Sequence, residues 1–312
     1  MVGDVPDAEQ GRVQIRLEAG SGPGGAEPIK QCSHAPSLPG AGRAVLNVLV
    51  VPGAYRRAML TQAVLAEAPD LRVATVGCSG PARWSAPEEV TSSAVVLVRR
   101  GVFARRADGR AGVADPVQGY VQRPGQVQQV AHPAGADTCT SIGIAPALAD
   151  RLGWAGPLTV SPRADLAHRR LIARATAGAG PADLAELAAD LIARLLPPPA
   201  RRPPRRSVDD VRVALNADPR ARLDDLAELA GCSRWHLSRT FHEVTGVTIN
   251  TYRLRLRARA VLAELGDSAA GLAELAARAG FADQAHLSRT IRRELGLSPG
   301  EVRRLLGPPA GR

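Results

Sequence analysis

Apolar side chains recur with a helical period through most of the second half of the chain. In "PADLAELAADLIARLL" they fall three or four residues apart, a spacing that places them on one face of a helix opened by Pro181. That face consists of Leu184, Leu187, Leu191 and Leu195. "SPRADLAHRRLIARATA", which starts at Ser161, also has an apolar stripe, and helical patterning resumes from Ser207 to about Gly307. These segments are predicted to be helices.

The segment from about Leu71 to Ala145 has a different pattern, in which short β-rich runs are separated by turn residues. The runs are "LRVATVGC", "AVVLVRRGVFARR", "GYVQR", "QVQQVAHP" and "TCTSIGIAP", with "ADGR" and "RPGQ" as turns. Several short strands at this spacing are typical of a sandwich or a barrel. The whole pattern therefore predicts an α+β chain, with strands first and helices after them.

Domain boundaries follow from these changes of pattern. Residues 1–44 are rich in Gly and Pro, have no apolar period and are predicted to be a disordered tail. Residues 45–196 are expected to form one domain and residues 207–307 another. Between them, "PPPARRPPRR" (197–206) is predicted to be a stiff linker, either a solvated spacer or a contact to phosphates. Met59 is the only methionine after Met1, so a start at Met59 is a hypothesis that N-terminal sequencing would test.

The pentapeptide "HLSRT" occurs twice, at 236–240 and at 286–290. Upstream of it, "LDDLAELAG" (223–231) matches "LAELAARAG" (272–280), with the second turn longer by one residue. Apolar positions and glycines are kept on both sides of the pentapeptide, so the segment is a duplicated element.

Each copy has the pattern of a helix-turn-helix unit. Gly231 and Gly280 can end the first helix in a left-handed conformation, and Ser233 and Asp283 can cap the second helix. One face of the second helix is apolar in each copy, through Leu237 and Phe241 in the first and Leu287 and Ile291 in the second. The segment 248–267 between the units is predicted to be one long helix with a Thr cap.

The opposite face of the second helix is predicted to be exposed. It carries Arg234, Trp235, Ser238 and Arg239 in the first copy, and Gln284, Ala285, Ser288 and Arg289 in the second. Such a face suits recognition of bases in the major groove of DNA. A protein-binding solenoid is the alternative, but two units are few for a stable array.

Composition agrees with a nucleic-acid partner without requiring one. The net charge is +10 and the pI about 10.7, and Lys30 is the only lysine. Arginine suits bidentate contact with phosphate and guanine, although GC-rich coding would also enrich it. The four cysteines form no CxxC pair, and no signal peptide or membrane-spanning run is visible, so we expect a cytoplasmic protein with no membrane partner.

The motifs "GCSRWHLSRTFHEVTG", "YRLRLRARAVLAEL" and "GFADQAHLSRTIRRELGLSP" resemble the two helix-turn-helix units of the AraC/XylS family of transcription regulators. The resemblance covers roughly 100 residues. Ile291 and Leu295 stand where the family usually has Phe, and Val302 stands where Tyr is common. The resemblance implies contacts to bases or backbone from Trp235, Ser238 and Arg239, and from Gln284, Ala285, His286 and Arg289. His236 and His286 could equally be structural residues bonded to a helix end, and for His236 this is the preferred interpretation.

The strand-rich segment resembles the cupin-like β-barrels that precede many AraC-type DNA-binding domains. Metal-binding cupins use clustered histidines and a Glu, but "RRGVFARRADGR" contains neither and "RPGQVQQVAHP" supplies only His132. We therefore expect no catalysis and no cofactor. An organic effector is expected at the barrel mouth, lined by Trp84, Phe103, Tyr120 and Gln122.

Cys78, His132 and Cys139 lie on predicted strands or strand ends of this one domain. They would form a thiolate/imidazole metal or redox sensor if they converge. The alternative, which we take as the working expectation, is two small buried apolar side chains, a histidine that ends a strand, and no metal site.

The sequence thus predicts a DNA-binding transcription regulator controlled by an effector at its N-terminal domain. Its expected partners are promoter or operator DNA, a small-molecule effector, a second copy of the chain, and RNA polymerase if the protein is an activator. A cupin-type enzyme with an accessory nucleic-acid-binding domain and a non-specific architectural DNA binder are the alternatives. If both recognition helices engage one face of DNA, they should enter the major groove about 34 Å apart.

Overall fold

The computed structural model describes residues 46–49, 59–68, 71–145, 156–195, 205–266 and 270–307. The predicted disordered tail (1–44) and residues 197–204 of the predicted linker lie outside the described residues.

Antiparallel strands form two sheets in the N-terminal part. One sheet has the strand order β1-β2-β3-β10-β5-β8-β11, and the other has the order β4-β9-β6-β7. The strands are β1 (Leu46–Leu49), β2 (Met59–Ala68), β3 (Leu71–Ser79), β4 (Glu88–Glu89), β5 (Ala94–Arg100), β6 (Phe103–Ala107), β7 (Arg110–Ala114), β8 (Gln118–Gln122), β9 (Val127–Ala131), β10 (Asp137–Ile144) and β11 (Gly156–Thr159).

Helices make up the rest of the described chain. They are α1 (Pro162–Thr176), α2 (Pro181–Leu195), α3 (Arg206–Ala217), α4 (Leu223–Leu229), α5 (Arg234–Thr245), α6 (Ile249–Leu265), α7 (Leu272–Arg278), α8 (Gln284–Leu295) and α9 (Pro299–Leu306). Ser161 caps α1 by accepting a hydrogen bond from the Ala164 amide, as the Ser-Pro start indicates. The α+β class is confirmed.

The central strand of the larger sheet, β5, is buried on both faces. Alternate residues of β5 point to opposite sides, so Val96 packs with Phe103 of the smaller sheet while Val95 and Leu97 pack with α1 and α2. The N-terminal part therefore has three layers: small sheet, large sheet and helices. In the part of the chain that the structure describes, the two sheets face each other without joining into one closed barrel.

The run "AVVLVRRGVFARR" forms two strands, β5 and β6, which belong to different sheets. Gly101 separates them with a φ of +81°, and a Cβ there would lie 2.7 Å from the Ala136 carbonyl oxygen. Only glycine suits both the left-handed backbone and the close approach. This glycine therefore allows the backbone to turn from the larger sheet into the smaller one.

The C-terminal helices enclose two separate cores. The first contains Val208, Leu226, Phe241 and Tyr252, and the second contains Leu262, Leu275, Ile291 and Val302. Helix α6 contributes to both cores, through its first turns to one and its last turns to the other. It is the long connecting helix that the sequence predicts, with the Thr248 hydroxyl accepting from the Thr251 amide.

Candidate nucleic-acid interface

The turn of each duplicated unit has the geometry that its sequence predicts. Gly231 and Gly280 adopt φ values of +63° and +75°, each one residue beyond the C-cap of α4 or α7. Ser233 and Asp283 accept hydrogen bonds from the amides of His236 and His286, and so cap α5 and α8. Both units are helix-turn-helix elements.

Burial of one face fixes how α5 and α8 are presented. Leu237 and Phe241 of α5 are buried against the first core, and Leu287 and Ile291 of α8 are buried against the second. Because these pairs are four residues apart, the remaining face of each helix is turned outwards. The predicted contact residues lie on those outward faces.

On α5 the outward face combines an aromatic ring with two arginines. Trp235 is 69% exposed, and the Arg239 guanidinium lies 5.6 Å from the centroid of its ring. Arg239 Nε is also 3.1 Å from Glu243 Oε1, and Arg234 Nε is 3.2 Å from Asp224 Oδ1. Both arginines are exposed, so an anionic ligand can compete with the carboxylates at little cost. Ser238 is exposed beside them.

On α8 the outward face is less aromatic and less charged. Gln284, Ala285 and Arg289 are exposed, and Ser288 is half-buried. His286 is also half-buried, with its ring edge-to-face on Phe281 at 5.3 Å between centroids. His286 therefore contacts the core of its unit as well as the outward surface.

The Arg/Pro segment ends beside the first recognition helix. Arg205 lines a shallow recess together with Trp235, His236 and Arg239. This placement adds a cation to the outward face of α5.

Two buried ion-pair clusters join the N-terminal domain to the helical domain, and the sequence pattern predicts neither of them. In the first cluster Asp115, which is completely buried in the β7–β8 turn, faces Arg212 of α3 and Tyr252 of α6. Asp115 Oδ2 accepts from Arg212 Nε at 2.9 Å, and Oδ1 accepts from the amides of Val117 and Gln118. The Val117 side chain packs into the first helix-turn-helix core.

The second cluster lies between α1 and α6. Asp165 Oδ2 is 3.0 Å from Arg169 Nε and 3.7 Å from Arg259 Nε, and Arg259 Nη2 donates to the Val160 carbonyl at 2.7 Å. Leu166 packs into the second helix-turn-helix core. Burial raises the pKa of the Asp165 carboxyl, but Arg169 and Arg259 outweigh this effect and lower it, so Asp165 is ionised.

Both clusters contact α6, at Tyr252 and at Arg259, which are seven residues apart on one face of the helix. No local signal marks the contacts to the other domain, because those partners are distant along the chain: Asp115 and Arg212 are 97 residues apart. Asp165 and Arg169 are only four residues apart, but nothing near them indicates Arg259 as the further partner. A buried acid in a turn has the same sequence pattern as an exposed one.

The residues predicted to line an effector site are brought together only in part. Phe103 and Tyr120 pack edge-to-face at 6.0 Å in the core between the sheets, and Gln122 is half-buried at the end of β8. Trp84 is exposed, with the Arg106 guanidinium 4.9 Å from its ring centroid. An effector site with this composition remains a prediction.

Cys78, His132 and Cys139 do converge, with Asp137 among them. His132 Nε2 lies 3.1 Å from Cys78 Sγ and His132 Nδ1 lies 2.6 Å from Asp137 Oδ2, while the Cys139 thiol donates to Asp137 Oδ1 at 3.3 Å. Among the described residues, no group of three or more His, Cys, Asp or Glu side chains is arranged to hold a metal ion. The convergence is a chain of hydrogen bonds.

Two helix-turn-helix units joined by a single helix, each presenting a polar recognition helix, define a class of DNA-binding domain. Residues 226–305 match a family model described as a helix-turn-helix domain. The chain is 31% identical over 84 residues to the regulatory protein SoxS of Salmonella typhimurium, covering 27% of this chain and 78% of SoxS. Since it covers most of that relative at this identity, the chain belongs to the AraC family of transcription regulators.

Other similarities cover different shares of the chain. It is 30% identical over 88 residues to the HTH-type transcriptional activator AarP of Providencia stuartii, covering 28% of this chain. The chain spans 65% of the length of AarP. The fold is also similar to the structure of ToxT from Vibrio cholerae with a bound unsaturated fatty acid. The match covers 77% of this chain and 97% of the ToxT chain, at 9% identity and a TM-score of 0.32. At that score the likeness supports no conclusion. None of the described helices is long and apolar enough to cross a membrane.

Proposed function

We propose that this protein regulates transcription by binding specific promoter DNA with α5 and α8 in successive segments of the major groove. The observation that carries the proposal is the duplicated helix-turn-helix, in which a buried apolar stripe turns a polar face outwards from each second helix. The net charge of +10 favours a polyanionic partner.

Helix α6 joins the two units, and its 17 residues span about 25 Å. Recognition elements on one face of B-DNA are about 34 Å apart, a separation that exceeds the length of α6 itself. Because α6 belongs to both cores, it holds the two units at a fixed separation.

Specificity is expected where the two recognition faces differ. The first unit offers Arg234 and Trp235, whereas the second offers Gln284 and Ala285 at the start of its recognition helix. Arginine suits guanine, glutamine suits adenine, and a small apolar side chain suits the thymine methyl group. The shared Arg239 and Arg289 would then position the protein on its site, on bases or on phosphates.

The first step of the test is to select bound duplexes from a random DNA library with the full chain. A regulator enriches a defined sequence and binds it at least about a thousandfold more tightly than random DNA at physiological salt. A library that yields no common sequence, with equal affinity for every duplex, would instead indicate an architectural DNA binder.

The second step uses single substitutions on the selected site. Arg239→Ala and Arg289→Ala should each weaken binding by roughly 1–3 kcal/mol, and more on the selected site than on random DNA if they contact bases. Fluorescence anisotropy at two salt concentrations measures both effects. Arg110→Ala, which removes an exposed arginine from the N-terminal domain, is the charge-matched control and should change affinity little. Unchanged binding in both recognition-helix variants would contradict the assignment.

We further propose that the N-terminal domain is regulatory and responds to a small organic effector. What supports this is its contact with both helix-turn-helix cores, through Val117 in one and Leu166 in the other. Adding candidate metabolites to the complex with selected DNA tests the effector. Sedimentation of the full chain tests the homodimer, and transcription in vitro tests the action on RNA polymerase. Catalytic turnover with bound metal would favour the cupin-type enzyme.

A further inference from the structure

A cysteine, a histidine and an aspartate form a hydrogen-bonded chain at one end of the strand layers, outside the proposed DNA interface. Cys78 of β3 stands opposite Asp137 of β10 in the register of the larger sheet, so their side chains share one face. His132 follows β9 of the smaller sheet and reaches between them. This series of hydrogen bonds therefore links the two sheets.

The histidine is locked in place by its surroundings. Its ring is buried, its backbone amide donates to the Pro81 carbonyl at 2.9 Å, and Phe103 lies 6.1 Å away between ring centroids. A Cβ at position 80 would lie 2.3 Å from His132 Cδ2, so glycine at position 80 makes room for the ring. The ring is thus presented to Cys78 in a single orientation.

The order of groups matches an activated nucleophile. In such an arrangement a thiol contacts an imidazole, and a carboxylate on the far nitrogen orients that imidazole. Burial would lower the pKa of His132, but the hydrogen bonds to Asp137 and Cys78 outweigh it and raise the pKa to about 9. His132 is therefore an imidazolium at neutral pH, a cation held 3.1 Å from Cys78 Sγ.

The two cysteines at the ends of this series of hydrogen bonds differ in their exposure to solvent. Cys78 is half-buried near the end of β3 and is next to the exposed Ser79. Cys139 is buried, and its thiol donates a hydrogen bond to Asp137. Burial and, to a smaller extent, the charge of Asp137 raise the pKa of this thiol well above the ordinary value. Cys139 therefore remains a thiol, and Cys78 is the sulfur that a reagent reaches.

We propose that Cys78 is a modification site for small hydroperoxides, with His132 as proton donor and Asp137 as the group that orients His132. The thiolate attacks the terminal oxygen of the hydroperoxide, an S–O bond forms and the O–O bond breaks. Sulfur gives up two electrons and becomes a sulfenic acid. The departing alkoxide or hydroxide takes the Nε2 proton of His132 and leaves as alcohol or water. A small reagent is required because Cys78 is half-buried.

A second cysteine of the same protein serves as an internal control for this reaction. Cys232 is also half-buried, but it lies in the first helix-turn-helix unit with no histidine hydrogen-bonded to it among the described contacts. Comparing Cys78 with Cys232 in one sample removes differences in reagent, temperature and folding.

The experiment treats the full chain with hydrogen peroxide in the presence of dimedone, which traps sulfenic acids, and follows each cysteine-containing peptide by mass spectrometry. At neutral pH we expect Cys78 to be labelled at least about tenfold faster than Cys232. In His132→Gln the rate at Cys78 should fall towards that at Cys232, while the rate at Cys232 stays unchanged. Asp137→Asn should give a smaller decrease.

A pH series on the unsubstituted protein distinguishes activation from simple exposure. The ratio of the rate at Cys78 to the rate at Cys232 should fall as the pH rises through about 9, because His132 then loses the proton that it gives to the departing oxygen. Asp137, Cys139, Tyr120 and Arg99 are the other ionisable groups around the site. Equal rates at the two cysteines with parallel pH dependence would overturn the proposal, even if the His132 variant fails to fold. So would an unchanged rate at Cys78 in a folded His132→Gln protein.

Discussion

His168 is a histidine that the fold keeps neutral. It is 1% exposed in α1, and its Nε2 has no hydrogen-bond partner in the described part of the chain. Burial lowers the pKa of His168 to about 3, with Asp165 opposing the shift and Arg169 adding to it. The ordinary value is 6.5, so the folded and unfolded chains bind different numbers of protons over a wide range of acid pH.

This difference predicts acid sensitivity. The unfolded imidazole takes up a proton as the pH falls through 6.5, and the folded one takes it up only near pH 3, so stability is lost as the pH falls through that window. At pH 5 the loss from this group is about 2 kcal/mol. Urea unfolding at pH 7 and pH 5 should show a smaller difference in His168→Leu than in the unsubstituted chain.

The matched control for that experiment is His242→Leu, which removes an exposed histidine from α5. It should leave the difference between the two pH values unchanged. If His168→Leu also leaves it unchanged, the acid sensitivity of the fold arises elsewhere.

At the scale of elements, local signals predict the helices and the duplicated unit well. Caps, glycines and apolar stripes act within a few residues of one another, so Ser233, Gly231 and Leu237 can be interpreted without knowing the fold. Strand β2 is different. "MLTQAVLAEA" consists largely of residues that favour helices and its pattern does not predict a strand, yet it pairs along its length with β3. Its conformation depends on a neighbour, which no local pattern reveals.

The turn of the first unit allows a test of one such local signal. Gly231 has a φ of +63°, and a Cβ at this position would meet open space, so Gly231→Ala should cost about 1 kcal/mol of stability through backbone strain alone. Thermal or urea unfolding measures the change.

Gly300→Ala is the contrasting control, since Gly300 lies within α9 with open space around it and without a positive φ. There alanine should be neutral or stabilising. Equal effects at the two positions would contradict the left-handed turn.

At the scale of the whole molecule, the joint between the two domains is made of charge as well as apolar contact. Arg212 is 2% exposed, and its guanidinium donates to Asp115, to Asp209 and to the Val113 carbonyl. The charge of Asp115 raises the pKa of Arg212 against the effect of burial. A buried ion pair gains little over an apolar contact of the same shape, but losing one partner is costly.

Asp115→Asn should therefore destabilise the protein by about 3–5 kcal/mol, because it leaves the Arg212 charge buried without its main counterion. Urea unfolding of the full chain measures the change, and the affinity for selected DNA shows whether loosening the joint alters binding. Asp190→Asn, which breaks the exposed pair with Arg194 on α2, is the control and should cost far less. A comparable loss of stability from both substitutions would mean that the buried interdomain ion pair contributes no more to the free energy of unfolding than the exposed pair does.

Because α6 runs through both helix-turn-helix cores, the protein has a defined orientation on the DNA that it binds. A dimer of identical subunits binds sites with two-fold symmetry, which look the same from either end. Here two unequal recognition helices, one with Arg and Trp and the other with Gln and Ala at its start, belong to units that a single helix joins. A duplex bound by both would be asymmetric, and its orientation would decide which end of the protein points along the DNA towards the gene.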